Sequence, residues 1–82
     1  MTIDTNRTII AQNGPDGQRV VLRIIQSGNG HTVTFGSMFH FGSDIPAANL
    51  STTNGEYDYV TCVYNGTTSK WDVVDVVRGF ST

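Results

Sequence analysis

Short runs of β-branched and aromatic residues, separated by clusters of Gly, Asn, Asp and Ser, make up most of this chain. No segment places apolar residues at the i, i+3, i+4, i+7 spacing that an amphipathic helix requires. Runs between turn-forming clusters are typical of strands. With 82 residues, the chain is expected to form one domain. We therefore expect an all-β fold, a small antiparallel sandwich or jelly-roll-like barrel of about 6–8 short strands.

Turn clusters divide the chain into predicted strands. Arg19–Gln26 is the clearest strand, and the tight connection after it predicts a hairpin with residues 31–35. A second hairpin is predicted from residues 57–64 and 70–77, which flank an Asn-Gly turn. Weaker strands are predicted at residues 8–11 and 50–53.

The N-terminal segment differs from the rest of the chain. Residues 1–7 have little apolar content and are predicted to form an arm that becomes ordered only on binding. Residues 8–82 are predicted to form a single β domain. The first residues lack the basic and apolar regions of a signal peptide, so we expect synthesis in a cytoplasm.

Charge and cysteine content narrow the classes of function. The net charge is −2, and the 5 basic residues are scattered, so neither nucleic acid nor a membrane is an expected partner. No apolar stretch approaches the roughly 20 residues that span a bilayer. Cys62 is the only cysteine, which excludes an internal disulfide and a cysteine-based metal cluster. Because small domains have small cores, oligomerisation is the expected additional source of stability.

Two groups of polar residues resemble reactive sites, and each has a plainer interpretation. Glu56 and Asp58 form a carboxylate pair, but Glu56 follows a turn and Asp58 is suited to accept hydrogen bonds from backbone groups there. The spacing of His31, His40 and Asp44 matches no zinc or calcium motif. We therefore expect no catalytic residue, no cofactor and no metal site.

The last two predicted strands are apolar on both faces, whereas a half-solvated antiparallel strand alternates apolar and polar residues. Cys62 shares one face with Val60 and Tyr64 and is expected to be a small core residue. The other face is covered either within the monomer or by a neighbouring subunit or larger partner. The mixed apolar and basic face of Arg19–Gln26 suits an interface better than a core. The residues predicted to contact a partner are Val21, Arg23, Ile25, Tyr57, Tyr59, Val63 and Trp71.

Two kinds of residue in these strands have alternative roles. The tyrosines and Trp71 are able to stack on sugars, and they are equally suited to cores and interfaces, which we favour. In residues 70–77, strict alternation places Trp71, Val73, Asp75 and Val77 on one face. If Asp75 is buried there, it needs a partner such as Arg78, Arg23 or a neighbouring chain.

A series of short strings follows one another across about residues 14–80. In order they are Asp16-Gly17-Gln18, "HTVTFGS" at residues 31–37, the aromatic pair Phe39 and Phe41, Ile45-Pro46, "LSTT" at residues 50–53, "YDYVTCVYNGT" at residues 57–67, Trp71 and Gly79-Phe80. Their order and spacing resemble a β-rich module common in structural proteins of tailed bacteriophages. Cys62 departs from this pattern, because a large apolar residue is commoner there.

The resemblance implies a non-catalytic virion protein. Since the sequence has no shaft region of a fibre, the expected role is a capsid decoration (cement) protein that binds the outside of the major capsid shell and stabilises it. The resemblance implies a homotrimer at the capsid surface, made in the host cytoplasm, with the major capsid protein or another virion protein as partner. The alternative is a tail-fibre, head-fibre or neck accessory module that binds host surface glycans.

Overall fold

The computed structural model describes residues 1–81. Within them the chain forms seven strands joined by loops and turns, and no helix. Thr82, the last residue of the predicted domain, lies outside the described residues. The all-β prediction is confirmed. The strands are β1 (Thr2–Ile3), β2 (Arg7–Ile9), β3 (Arg19–Gln26), β4 (Val33–Phe35), β5 (Phe39–Phe41), β6 (Tyr57–Asn65) and β7 (Lys70–Phe80).

The strands form one sheet in the order β1-β3-β6-β7-β5 and a second sheet of β2 and β4. The central pairs, β3 with β6 and β6 with β7, are antiparallel. The pairs β1–β3, β2–β4 and β5–β7 are parallel, so the expectation of a purely antiparallel arrangement is wrong. Each of these parallel pairs contains a strand of only two or three residues, and parallel neighbours need long connections rather than tight turns.

One of the two predicted hairpins is present. β6 and β7 pair from Tyr57↔Phe80 to Asn65↔Lys70, as the second prediction requires. The turn between them is stabilised by Asn65, whose Oδ1 accepts a hydrogen bond from the Thr67 amide over 2.9 Å. This local side-chain bond explains why an Asn-Gly turn is a good sequence signal for the hairpin.

The other predicted hairpin, between Arg19–Gln26 and residues 31–35, is wrong, because β3 pairs with β1 and β6 while β4 pairs with β2. The connection after β3 binds the loop before β6 instead. The Gly30 amide donates to the Thr52 carbonyl over 2.8 Å, and the Gly28 amide donates to Asn54 Oδ1 over 2.7 Å. These bonds hold residues 50–53 as a loop rather than the predicted short strand.

The core lies on one face of the large sheet, which we call the inner face. Partly buried side chains of β2 and β4, including Ile9, Val33 and Phe35, pack against it. The second sheet therefore contacts the large sheet on its inner face. The buried apolar core residues are Ile3, Ile24, Val60, Cys62, Tyr64, Trp71 and Val73.

The N-terminal residues belong to this fold. Thr2 and Ile3 pair with Ile25 and Gln26, and the Ile3 side chain is 0% exposed. Arg7, the last residue of the predicted arm, begins β2. The prediction that residues 1–7 form a free arm is therefore wrong, because Ile3 is buried in the core although most of the segment is polar.

A buried carboxylate ties two distant parts of the chain to β6. Asp58 is 1% exposed and accepts three hydrogen bonds. Its partners are the Ser51 amide at 2.7 Å, the Ser51 hydroxyl at 2.8 Å and the Gly79 amide at 2.9 Å. Hydrogen bonds of this kind compensate for the cost of removing a polar group from water.

Candidate protein-interaction face

A β-bulge in the middle of β7 decides which of its side chains reach the outer face, the face opposite the core. Val74 has no pairing partner on β6. A single extra residue reverses the alternation of the side chains that follow it. Before the bulge Trp71 and Val73 are buried in the core, and after it Val76 lies on the inner face while Asp75 is exposed on the outer face. The prediction that Trp71, Val73 and Asp75 share a face is therefore wrong.

A second irregularity near the end of β7 brings Phe80 onto the same outer face. The stretch from Val77 to Phe80 contains one residue more than the opposite stretch of β6. Gly79 within it has a φ of +84°, a backbone conformation that glycine adopts without strain. Its amide donates a hydrogen bond to the buried Asp58 carboxylate, and this contact stabilises the bulge. Phe80 is thereby set directly opposite Tyr57.

The outer face is a three-strand surface that is open to solvent in the single chain. Val21 is 55% exposed, Val77 is 43% exposed and Phe80 is 41% exposed. Residues directly opposite each other on neighbouring strands point to the same side, so the pairing register gives the layout. Four rows cross β3, β6 and β7 in that order: Arg19, Val63 and Asp72; Val21, Thr61 and Asp75; Arg23, Tyr59 and Val77; Ile25, Tyr57 and Phe80.

Three aromatic rings form a cluster at one end of this face. The rings of Tyr57 and Phe80 are stacked, with centroids 5.5 Å apart. Tyr59 meets both rings edge-on, at 5.9 Å from Tyr57 and 5.6 Å from Phe80. Edge-to-face and stacked pairs are favourable ring arrangements, so the three side chains hold one another in a fixed position on the surface.

Charged side chains lie on the two flanks of the outer face. Arg19 and Arg23 project from β3, Asp75 projects from β7, and all three are exposed. Within residues 1–81 none of these three side chains makes a hydrogen bond or an ion pair. Asp72, the other acidic residue of the β7 flank, accepts from His40 Nδ1 at 3.2 Å and from Asn65 Nδ2 at 3.3 Å.

The predicted partner-contact residues divide into two groups. Trp71 lies on the inner face, is 7% exposed and donates from Nε1 to the Gln12 carbonyl over 2.8 Å, so it belongs to the core. Its inclusion among the predicted partner contacts is therefore wrong. Since the strand is apolar on both faces, the sequence does not indicate which face carries Trp71. The other predicted residues lie together on the outer face: Val21, Arg23, Ile25, Tyr57, Tyr59 and Val63.

Sequence reasoning did not identify Asp75, Val77 and Phe80 as residues of the outer face. Strict alternation grouped Asp75 and Val77 with Trp71 and Val73, and Phe80 was not assigned to a face. All three follow Val74, so each depends on the bulge rather than on its own residue type. The glycine before Phe80 is the one sequence signal for an irregularity, since glycine inside a strand often marks a bulge.

The polar residues considered for chemistry lie apart. Asp58 is buried in its three hydrogen bonds, whereas Glu56 precedes β6 and is half-buried. His40 contacts Asp72, and His31 lies at the far end of the connection after β3. Within the described residues, no group of three or more His, Cys, Asp or Glu side chains is placed to hold a metal ion.

Cys62 lies in the core and is 1% exposed. Burial raises the pKa of its thiol to about 11, because the thiolate loses solvation there. The thiol is therefore protonated at neutral pH and lacks the nucleophilic form that reactive cysteines need.

The described residues, 1–81, contain no helix that could span a bilayer. What the outer face offers is a rigid aromatic cluster with apolar neighbours and unpaired charges at both flanks. Comparison with protein-family models, with curated proteins and with solved structures finds no match.

Proposed function

We propose that this chain is a structural protein of a tailed-phage particle and that its outer face is buried against other protein surfaces there. The open outer face of the large sheet is the observation that carries this proposal. A face that stays in water is normally polar along its length, whereas this one presents Tyr57, Tyr59 and Phe80. Aromatic residues and arginine are enriched in protein interfaces, with charges at the rim.

The arrangement of the two sheets supports a small sandwich as the finer description of the fold. Ile9, Val33 and Phe35 of the second sheet pack on the inner face of the large one. In that architecture the large sheet has one side in the core and one side free. The free side is the outer face, which is why a protein of this size needs a partner to cover it.

The sequence strings that resemble phage modules support a specific place in the particle. We propose a capsid decoration protein that binds the outside of the major capsid shell as a homotrimer and stabilises the shell. Its mechanism is adhesive and requires no catalytic residue. Burial of apolar surface contributes about 25 cal/mol per Å², so an aromatic cluster of this kind supplies much of the attraction.

Copy number tests the place in the particle. Quantitative mass spectrometry of purified virions measures this chain relative to the major capsid protein. A ratio approaching that of the shell protein is expected for a decoration protein. A ratio of a few per hundred shell proteins would instead place the chain in the tail or fibres.

A variant of the aromatic cluster tests the surface. Replacing Tyr59→Ser is expected to lower occupancy on particles, since it removes the ring that contacts both other rings of the aromatic cluster. The matched control is Ile10→Ser, which removes an exposed apolar side chain, 81% exposed, from outside that face. Equal occupancy for both variants would remove the support that the outer face gives to this proposal.

Glycan binding is a second candidate function, and the stacked pair of Tyr57 and Phe80 favours it. Exposed aromatic rings with a nearby hydroxyl are suited to contact the apolar side of a sugar ring. In that case the chain is a tail-fibre, head-fibre or neck accessory module. Binding to a glycan array that is lost in Tyr57→Ala would support this function, and a low copy number on the particle would agree with it.

A further inference from the structure

The unpaired charges of the outer face are separated by sign. Arg19 and Arg23 lie on β3, Asp75 lies on β7, and β6 between them presents only uncharged side chains to this face. Asp72 adds a second negative charge to the β7 flank. Lys70 also lies on β7, beyond Asp72 at the start of the strand, and its ammonium group donates to the Ser37 carbonyl over 2.8 Å. Across the four rows of the outer face, which end at Asp72, the β3 flank is therefore positive, the centre is neutral and the β7 flank is negative.

Such a face is complementary to a second copy of itself in one orientation. A rotation about an axis along β6 keeps each residue at its height along the strands and exchanges the two flanks. The positive β3 of one copy then lies opposite the negative β7 of the next. A two-fold axis across the strands would instead place β3 on β3, so that the arginines of both copies lie on the same flank and repel.

The heights of the charges agree with the first orientation. Asp75 and Val21 both pair with Thr61 on β6, so they lie at the same level. Arg19 and Arg23 lie two residues to either side of Val21, about 7 Å away along the strand. An aspartate at the level of Val21 therefore enters between the two arginines. Packed sheets are about 10 Å apart, a gap that an extended arginine and an aspartate span together.

We propose that the outer faces of identical copies of this chain pack together around a rotation axis along β6, with Asp75 of each copy between Arg19 and Arg23 of the next. The aromatic cluster and the neighbouring valines supply the apolar part of this contact. The charge pairs at its flanks fix the orientation, as rim charges do in protein interfaces. The same geometry serves two or three copies. This inference rests on the proposed function only in treating the outer face as a contact surface, and it names one occupant of that face.

The test measures association of the purified chain by sedimentation equilibrium at low and high salt. We expect a defined oligomer that weakens as salt rises, because the flank pairs are screened. Asp75→Lys should raise the dissociation constant by about tenfold or more, since a lysine then faces two arginines. The double variant Arg19→Asp with Arg23→Asp should also raise the dissociation constant, because Asp75 then faces two aspartates. The chain carrying all three replacements should associate nearly as well as the wild type.

The matched control is Asp44→Lys, the same charge change on an exposed loop residue outside the outer face. It should leave association unchanged, and circular dichroism of every variant verifies the fold. An equimolar mixture of Asp75→Lys with the Arg19→Asp and Arg23→Asp double variant distinguishes a dimer from a trimer. A dimer with one copy of each variant has complementary charges at both flank contacts, so its association is restored. A trimer must contain two copies of one variant, so one of its contacts stays mismatched.

Three outcomes would overturn the inference. The first is a wild-type chain that remains monomeric at about 1 mM, a concentration at which even a weak specific contact is populated. The second is an oligomer that Asp75→Lys does not weaken, or that Asp44→Lys weakens equally. The third is a folded three-replacement chain that fails to associate. Copy number on particles is independent of all three outcomes. An abundant virion protein that is monomeric in solution overturns the self-association, and with it the homotrimer, but leaves the place in the particle standing. A self-associating chain that is absent from particles overturns the virion role and leaves the self-association standing.

Discussion

The rings of Tyr57 and Phe80 lie 5.5 Å apart with their planes inclined by 17°, stacked across β6 and β7 on the side of the sheet that faces away from the core. The stack forms within one chain, yet 41% of the Phe80 side chain remains exposed. A contact of this kind contributes little to the core and leaves an aromatic surface exposed. Under the proposed function, we therefore expect binding and folding to depend on different aromatic residues.

Replacing Phe80→Ala should weaken association on the outer face while changing the stability of the single chain by only about 1 kcal/mol, the scale of an aromatic pair contact. Replacing Trp71→Ala should instead destabilise the fold by about 3–5 kcal/mol, because it removes a buried ring and leaves a cavity. Urea denaturation and sedimentation measure the two effects on the same samples. Similar losses of stability for both variants would show that Phe80 is a core residue after all.

The thiol of Cys62 should be inert in the folded protein. Because burial raises its pKa to about 11, little thiolate exists at pH 8, and the side chain is out of reach of reagents. Ellman's reagent should therefore label Cys62 only when denaturant unfolds the chain. Ser43→Cys supplies the control, since its added thiol lies on an exposed loop outside the outer face and should react quickly.

The same thiol should make the protein less stable in alkali. The unfolded chain loses the thiol proton near pH 9.0, whereas the folded chain keeps it up to about pH 11. Stability from this group is therefore complete below pH 9 and declines as pH rises toward 11, by at most about 1.4 kcal/mol per pH unit. Comparing urea midpoints of the wild type and Cys62→Ala across this range isolates the contribution, and parallel curves would contradict it.

Removing the Asp58 carboxylate should be costly. Asp58→Ala leaves the amides of Ser51 and Gly79 without their acceptor, and we expect a loss of about 3 kcal/mol. Ser51→Ala removes only the hydroxyl contact and should cost about 1 kcal/mol. Chemical denaturation of both variants and of their combination gives the coupling. Additive losses would mean that Asp58 and Ser51 do not act together.

Replacing Ile3→Ala should destabilise the fold by about 2–5 kcal/mol, as expected for a large side chain removed from a core. Thr2→Ala, on the exposed neighbour in the same strand, should stay within about 0.5 kcal/mol of the wild type. Thermal unfolding of the two variants is sufficient to distinguish them. An unchanged melting temperature for Ile3→Ala would restore the idea that residues 1–7 are an arm.

Local signals in the sequence were sufficient for part of this structure. The β6–β7 hairpin has a strong turn between two alternating strands, and its prediction is confirmed. Because β6 is apolar on both faces, its second face was predicted to contact a partner. The residues of β3 that pair with this face alternate in the same way, so the prediction identified most of the outer face on these two strands. These features depend on residues that are neighbours along the chain or directly opposite each other.

The rest depended on contacts between distant parts of the chain. The parallel strands β1, β2 and β5 are joined to their partners by long connections, so no turn motif indicates them. The false hairpin after β3 had a good turn sequence, but that turn is occupied by hydrogen bonds to Thr52 and Asn54. Such bonds are visible only when both loops are folded.

The unpaired residue in β7 has a consequence for how this molecule tolerates change in length. Deleting Val74 would remove the bulge and leave Asp75 opposite Thr61 and Val76 opposite Val60, the partners that they already have. Deleting Val76 instead, with the bulge retained, would place Val77 opposite Val60 and turn its side chain toward the core. We therefore expect β7 to tolerate the loss of one codon at the bulge much better than the loss of one codon two residues later.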